Sequence, residues 1–231
     1  MMSEDIQQHI FDREVTCPIC GKTFKTKAVK VNSPRIISKD SDFFIRYSVV
    51  NPYFYDVWIC NSCGYAAMKS DFLKVKSYEK DAIFKQISIK WKPRKYSPIS
   101  NPNIAIERYK LALLSATAME KPSSTLGMIL LKISWMYRLI NDTQNENIFL
   151  KKALDTLSLA YSTERFPMYG LQRDSMSYLL GDLNRRIKNY PEALRWYSSV
   201  ITTPGVSPRI KELARDGKDL ISQVSSTPKI V

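Results

Sequence analysis

Cys17-Pro18-Ile19-Cys20-Gly21-Lys22 and Cys60-Asn61-Ser62-Cys63-Gly64-Tyr65 are two copies of one pattern, a CxxC followed directly by glycine. Two thiolates three residues apart reach one ion when the backbone turns tightly between them. Glycine after the second thiolate permits a positive φ and lets backbone N–H groups approach the sulfurs. Two such knuckles supply four sulfur ligands in a tetrahedron, the closed shell of a structural zinc site. The chain holds four cysteines, and all four fall in these pairs. The reading is therefore one structural Zn²⁺ per chain on Cys17, Cys20, Cys60 and Cys63. Iron is the minor alternative, because rubredoxin-type sites use similar knuckles. Disulfides and a redox CxxC fit less well: no export signal is seen, and redox pairs normally come singly. The whole stretch from Gly21 to Ile59 separates the knuckles. That gap is wide for a ribbon and implies strands extended by extra structure.

Outward from the knuckles the pattern is first β and then α. Residues 22–31 are β-branched and basic. Residues 53–59 alternate, with Tyr53, Tyr55, Val57 and Ile59 on one face, and read as the strand that delivers Cys60. Residues 32–50 hold shorter strands or loops, with Asp40-Ser41-Asp42 as a capped polar turn in preference to a metal or acid/base pair. Residues 71–90 predict one or two helices, and 92–98 a basic loop. Asn101-Pro102 opens a further helix.

Beyond residue 99 a spacing recurs: Ala105, Tyr109, Ala112; Ala153, Leu157, Ala160; Ala193, Tyr197, Val200. The copies are similar to the second helix of the tetratricopeptide repeat. Their starts, at Ala105, Ala153 and Ala193, are unevenly spaced and lie farther apart than the regular period of that repeat. With Asp174 as position one, Leu180, Gly181, Ala193 and Tyr197 fit that repeat. Ser177 stands where a large aromatic is usual, Asn184 where Tyr is usual, and Gly205 where Pro is usual. Residues 208–223 read as a capping helix. An ordinary helical bundle is the rival. The expected fold is α+β, a small zinc-ribbon-like β head followed by an all-α tetratricopeptide-like array of helical hairpins. The expected division is 1–70 head, 71–98 connecting helices and basic linker, and 99–231 helical repeats.

The quoted order of residues also marks a family. Val15-Thr16-Cys17-Pro18-Ile19-Cys20-Gly21-Lys22-Thr23-Phe24, Asp40-Ser41-Asp42-Phe43, Asn51-Pro52-Tyr53-Phe54-Tyr55-Asp56-Val57-Trp58-Ile59-Cys60 and Cys63-Gly64-Tyr65-Ala66-Ala67 together resemble the bacterial domain of unknown function 2225 family. The resemblance implies a bacterial cytoplasmic protein with a cysteine-rich head and a helical tail. It implies no activity and no catalytic residues.

Composition bounds the rest. The chain has 231 residues, 44% hydrophobic and 11% aromatic, enough for a real core. No apolar run reaches the ~20 residues of a membrane span, and the acidic start lacks a secretory signal, so the expected location is the cytoplasm. The net charge is +13, spread as +7 over residues 1–100 and +6 over the rest. Two stretches, 22–39 and 85–95, contain no acid and could fold together into one patch. Basic residues interleaved with aromatics leave nucleic-acid binding by the head open. Arg173, Arg185, Arg186, Lys188 and Arg195 are candidates for an acidic-partner surface, with a solvated helix face as the alternative. No phosphate loop, dinucleotide motif or nucleophile elbow is present, and the lone His9 lies outside the knuckles. The expected function is non-enzymatic: a zinc-binding interaction or scaffold protein that holds a protein partner on its helical repeats, with RNA or DNA binding by the head as the alternative.

Overall fold

The computed structural model describes residues 6–226; the acidic start at residues 1–5 lies outside them. Among the described residues three antiparallel hairpins precede the helical part. In the first, β1 (Ile10–Thr16) pairs with β2 (Thr23–Val29) from Ile10 opposite Val29 to Thr16 opposite Thr23. In the second, β3 (Ile36–Lys39) pairs with β4 (Ile45–Tyr47), and in the third, β5 (Val57–Ile59) with β6 (Ala66–Met68). Among the described residues seven helices follow: α1 (Ser77–Gln86), α2 (Pro102–Ala118), α3 (Ser123–Leu139), α4 (Thr143–Thr163), α5 (Arg173–Arg186), α6 (Tyr190–Thr202) and α7 (Pro208–Ser226). The fold is α+β, with a cysteine-bearing β head and a helical tail.

The strand expected over 53–59 is shorter than its alternation implies. Pro52–Tyr55 is a turn of 3-10 helix, started by Asn51, whose side chain accepts from the Tyr53 N–H. Proline in first position suits that turn. Only Val57–Ile59 is strand, and all three residues are buried, so no face of β5 meets water.

The recurring positions in the tail are buried without exception. Ala105, Tyr109 and Ala112 lie in α2, Ala153, Leu157 and Ala160 in α4, and Ala193, Tyr197 and Val200 in α6. The large residue of a copy seats against a neighbouring glycine. A Cβ on Gly127 of α3 would come within 2.7 Å of the Leu157 side chain, and one on Gly181 of α5 within 2.9 Å of Tyr197. Helices α3 with α4 and α5 with α6 form hairpins, and α7 packs on α5 and α6. The first copy differs. Prolines and lysines at 92–98 separate α1 from α2, and the face of α2 that a long preceding helix would cover is covered by β5, β6 and the 3-10 turn. Tyr109 makes that contact specific, its hydroxyl donating to the Tyr53 carbonyl at 3.0 Å.

One apolar cluster therefore runs from head to tail. Phe44, Val57, Ile59, Ala66 and Met68 join Ala105, Tyr109, Ile129, Ile133 and Trp135. Phe44 stacks on Trp135 with ring centroids 5.3 Å apart.

Candidate metal centre

Hairpins β1–β2 and β5–β6 carry the two knuckles at their tips. In each, the residue after the second cysteine closes the turn. The Gly21 N–H donates to the Cys17 carbonyl at 2.9 Å, and the Gly64 N–H to the Cys60 carbonyl at 2.8 Å. Both glycines have positive φ, 72° and 78°, the region L side chains avoid. The ladder then resumes, with the Cys17 N–H on the Lys22 carbonyl and the Cys60 N–H on the Tyr65 carbonyl.

The two tips face each other. Cys17 Sγ lies 3.7 Å from Cys63 Sγ, and Cys20 Sγ 3.6 Å from Cys60 Sγ. All four sulfurs fall within 4.8 Å of one another. No pair is near the ~2.05 Å of a disulfide, and all four cysteines are free. A tetrahedron with metal–sulfur bonds of ~2.3 Å has edges of about 3.8 Å. The spacing therefore suits four ligands around one ion. Cys17, Cys60 and Cys63 are buried and Cys20 is half-buried. The thiols compete for protons: hydrogen bonds from Cys17 and Cys63 draw Cys60 well below the ordinary thiol range, while its hydrogen bond to Cys60 pushes Cys17 above it. Hydrogen bonding to Cys17 and Cys60 pushes Cys63 up as well. Protons alone thus leave the group unequally charged, and a cation lets all four sulfurs ionise together. Among the described residues this is the one group of three or more His, Cys, Asp or Glu close enough to share an ion.

Residues 88–94, which span the end of the helices expected over 71–90 and the start of the basic loop expected over 92–98, clamp the second knuckle. Ser88 Oγ donates to the Cys63 carbonyl at 2.8 Å, Trp91 Nε1 to the Asn61 carbonyl at 2.9 Å, and the Arg94 N–H to Asn61 Oδ1 at 2.7 Å. A Cβ on Gly64 would sit 2.6 Å from the Trp91 indole. A lone tryptophan among lysines was the available signal. The acid-free stretches also meet, since Lys25, Lys27 and Arg94 line one cavity beside this knuckle.

Several of the other candidates have internal roles. Asp40 and Asp42 form no acid/base pair. Arg138 donates from Nη1 to Asp40 at 2.9 Å and from Nη2 to Asp42 at 2.6 Å, and Arg46 adds a second guanidinium on Asp40. The turn is an anchor on α3 as well as a polar corner. Arg185 and Arg186, offered as partner-facing, instead close on buried Asp182 at 2.7 and 2.9 Å and on Ser41 Oγ. Arg195 is exposed beside Glu192, and His9 bonds Ser33 outside the cysteine group. Among the described residues no helix is long and apolar enough to cross a membrane.

A family model described as an uncharacterized protein conserved in bacteria (DUF2225) matches residues 10–221. No curated protein and no solved structure matches the chain.

Proposed function

The chain belongs to the bacterial family whose model spans residues 10–221, and from that premise we propose a non-enzymatic, zinc-binding interaction protein of the cytoplasm that holds a protein partner on its helical tail. Zinc suits a set of four thiolates, and one Zn²⁺ on Cys17, Cys20, Cys60 and Cys63 fills its shell with protein sulfur. A catalytic zinc keeps a position for water or substrate; here the role is structural. Elemental analysis of protein purified without added metal should return one zinc per chain. Iron in its place would install the rubredoxin-like alternative, and absence of both would refute the site.

The observation that carries the partner reading is a solvent-open groove of about 560 Å³ where the ends of α4, α5 and α6 meet. Ser177 lies at its floor, at the repeat position that a large aromatic usually fills, and its Oγ donates to the Tyr161 hydroxyl at 3.0 Å. Val200, Pro204 and Val206 give an apolar wall. Exposed Arg173 lies over the rings of Tyr161 and Phe166 at 4.8 and 4.6 Å. Asp174 stands beside Arg173 in the same lining, so the groove has an apolar wall and a lip of both signs, which suits a short peptide that places an acidic group on Arg173. The test is nuclease-treated capture from the native bacterium with wild type and Arg173→Glu side by side. A protein retained by wild type and lost at least tenfold by the variant supports the reading. Equal retention by both would refute it.

The second reading, nucleic-acid binding by the head, is favoured by the convergence of Lys25, Lys27 and Arg94. Titration with generic RNA and DNA between about 50 and 200 mM salt decides it, since six to ten phosphate contacts weaken by ~10³–10⁵ over that range.

A further inference from the structure

Arg108 is an anomaly where the tail meets the head. It sits two turns into α2, 9% exposed. Its Nε is buried with no acceptor, and among the described residues no carboxylate or carbonyl accepts from its guanidinium. The other inward-turned arginines all have partners: Arg138 has Asp40, Asp42 and Glu146, and Arg185 and Arg186 share Asp182. The groups whose charge bears on Arg108 are the phenols of Tyr96, Tyr55 and Tyr109, and the Tyr96 ring lies 5.6 Å away. Burial lowers the affinity of Arg108 for its proton, but arginine stays charged in proteins. A buried charge without a counter-charge opposes folding, so such a group persists where something else uses it.

Arg108 opens onto a cavity of about 290 Å³ between β2, the 94–98 segment and α2. Lys25, Lys27 and Arg94 stand in the same walls. Two of these cations are already matched: Lys27 pairs with Asp12 at 2.9 Å, and Arg94 with Glu107. Arg108 and Lys25 remain without an ion pair, Arg108 buried in the wall and Lys25 exposed at the rim, opposite Glu14 of β1. The rest of the lining joins Phe24, Ile59 and Tyr96 to polar Thr26, Asn61 and Ser97 and to the Asp12 carboxylate that Lys27 holds, a surface suited to an organic group that carries hydroxyls.

We infer that this cavity binds a small phosphate monoester, its phosphoryl group on Arg108 and Lys25 and its organic part against Tyr96 and Phe24. A monoester carries close to two charges at pH 7, its second pKa being near 6, and matches the two unpaired cations. A carboxylate or a backbone diester brings one. Arginine's planar fork suits phosphoryl oxygens, and lysine adds a point charge. The volume lies at the small end of ligand sites, enough for a phosphoryl group with a compact substituent. The inference is independent of the partner groove, which lies in the tail.

Calorimetry on the full-length, metal-loaded protein tests it with ribose 5-phosphate, ribose, sulfate and an oligonucleotide ending in 5′-hydroxyl. Ribose 5-phosphate should bind at least tenfold tighter than ribose or sulfate, and its affinity should fall as pH drops from about 7.5 to 5 and the ester takes up its second proton. Exposed Lys25→Gln should fold as wild type and bind several-fold more weakly. Arg108→Met should lose binding at least tenfold yet melt higher than wild type without ligand, because an uncompensated charge has left the interior. Four results would each overturn the inference: no binding of ribose 5-phosphate, equal binding of sulfate, unchanged affinity in both variants, or a lower melting temperature for Arg108→Met. Tighter, Arg108-independent binding of the oligonucleotide would also overturn it, in favour of recognition along a nucleic-acid backbone.

Discussion

Gly21 and Gly64 occupy equivalent places in the two knuckles, with nearly equal φ of 72° and 78°, but their surroundings differ. Nothing lies within 4 Å of a Cβ built on Gly21, whereas one on Gly64 meets the Trp91 indole at 2.6 Å. Gly21→Ala should therefore carry only the backbone term, about 1–2 kcal/mol for a left-handed L residue. Gly64→Ala carries the same term and also displaces Trp91, straining the clamp on Asn61, a further ~1–3 kcal/mol by analogy with overpacked cores. Denaturant unfolding of both metal-loaded variants measures the difference. Equal losses would show that the indole swings away freely and that residues 88–94 do not brace the knuckle. Sequence alone ranks the two glycines as equals. The CxxCG pattern is local, and Trp91 follows Gly64 only after β6 and α1 have intervened.

At the scale of elements, hairpin β3–β4 is held to the helices by charge. Its turn inserts Asp42, fully buried, between Arg138 of α3 and Arg186 of α5, and Ser41 Oγ donates to Asp182 at 2.8 Å. Arg138→Met would leave Asp40, Asp42 and Glu146 without their shared cation. Removing one partner of a buried pair costs about 3–5 kcal/mol, so the variant should unfold at clearly lower denaturant; a loss under about 1 kcal/mol would mean the hairpin docks by its apolar contacts alone. The network also has a pH signature. Burial pushes Asp182 up, but Arg186 and Arg185 outweigh it and hold the carboxyl below its ordinary 3.8. A carboxyl depressed in the folded state contributes stability that is present above the unfolded value and lost as pH falls through the folded one. Below about pH 4, wild-type stability should fall, and Asp182→Asn should flatten that fall by up to ~1.4 kcal/mol per pH unit. An acid limb of unchanged slope would remove Asp182 from the account. None of this network could be read in the chain, since it joins a turn of the head to side chains on α3 and α5, far along the sequence. The buried stripe of Ala105, Tyr109 and Ala112 could be read, because helical period writes it within two turns. Arg108 could not, since a lone arginine on a helix has no local mark distinguishing a surface charge from a buried one.

At the scale of the whole molecule, the question is whether head and tail unfold separately. The sequence suggests that they do: the tail has its own apolar periodicity from residue 99 onward, so losing Cys60 should unfold the head and leave most helices standing. The packing argues otherwise. The cysteines share an apolar cluster with Tyr65, Phe72, Ala118 and Met119, the last two at the end of α2. The opposite side of the same hairpin contributes Val57 and Met68 to the cluster that includes Ile129 and Trp135 of α3. The Ala66 N–H donates to Ser115 Oγ on α2 at 3.2 Å. Helix α2 thus has the head for one of its walls. A structural zinc contributes on the order of 10 kcal/mol in small peptides, comparable to the entire ~5–15 kcal/mol of a typical domain. Cys60→Ser, or stripping the metal with a strong chelator, should then melt the helices as well. Circular dichroism in the helical band and tryptophan fluorescence should trace one coincident transition in the loaded protein, shifted well down without metal, and limited proteolysis should leave no resistant fragment starting near residue 99. A variant that keeps most of its helical signal and yields such a fragment would show instead that α2 finds other cover, and that the tail folds without its head.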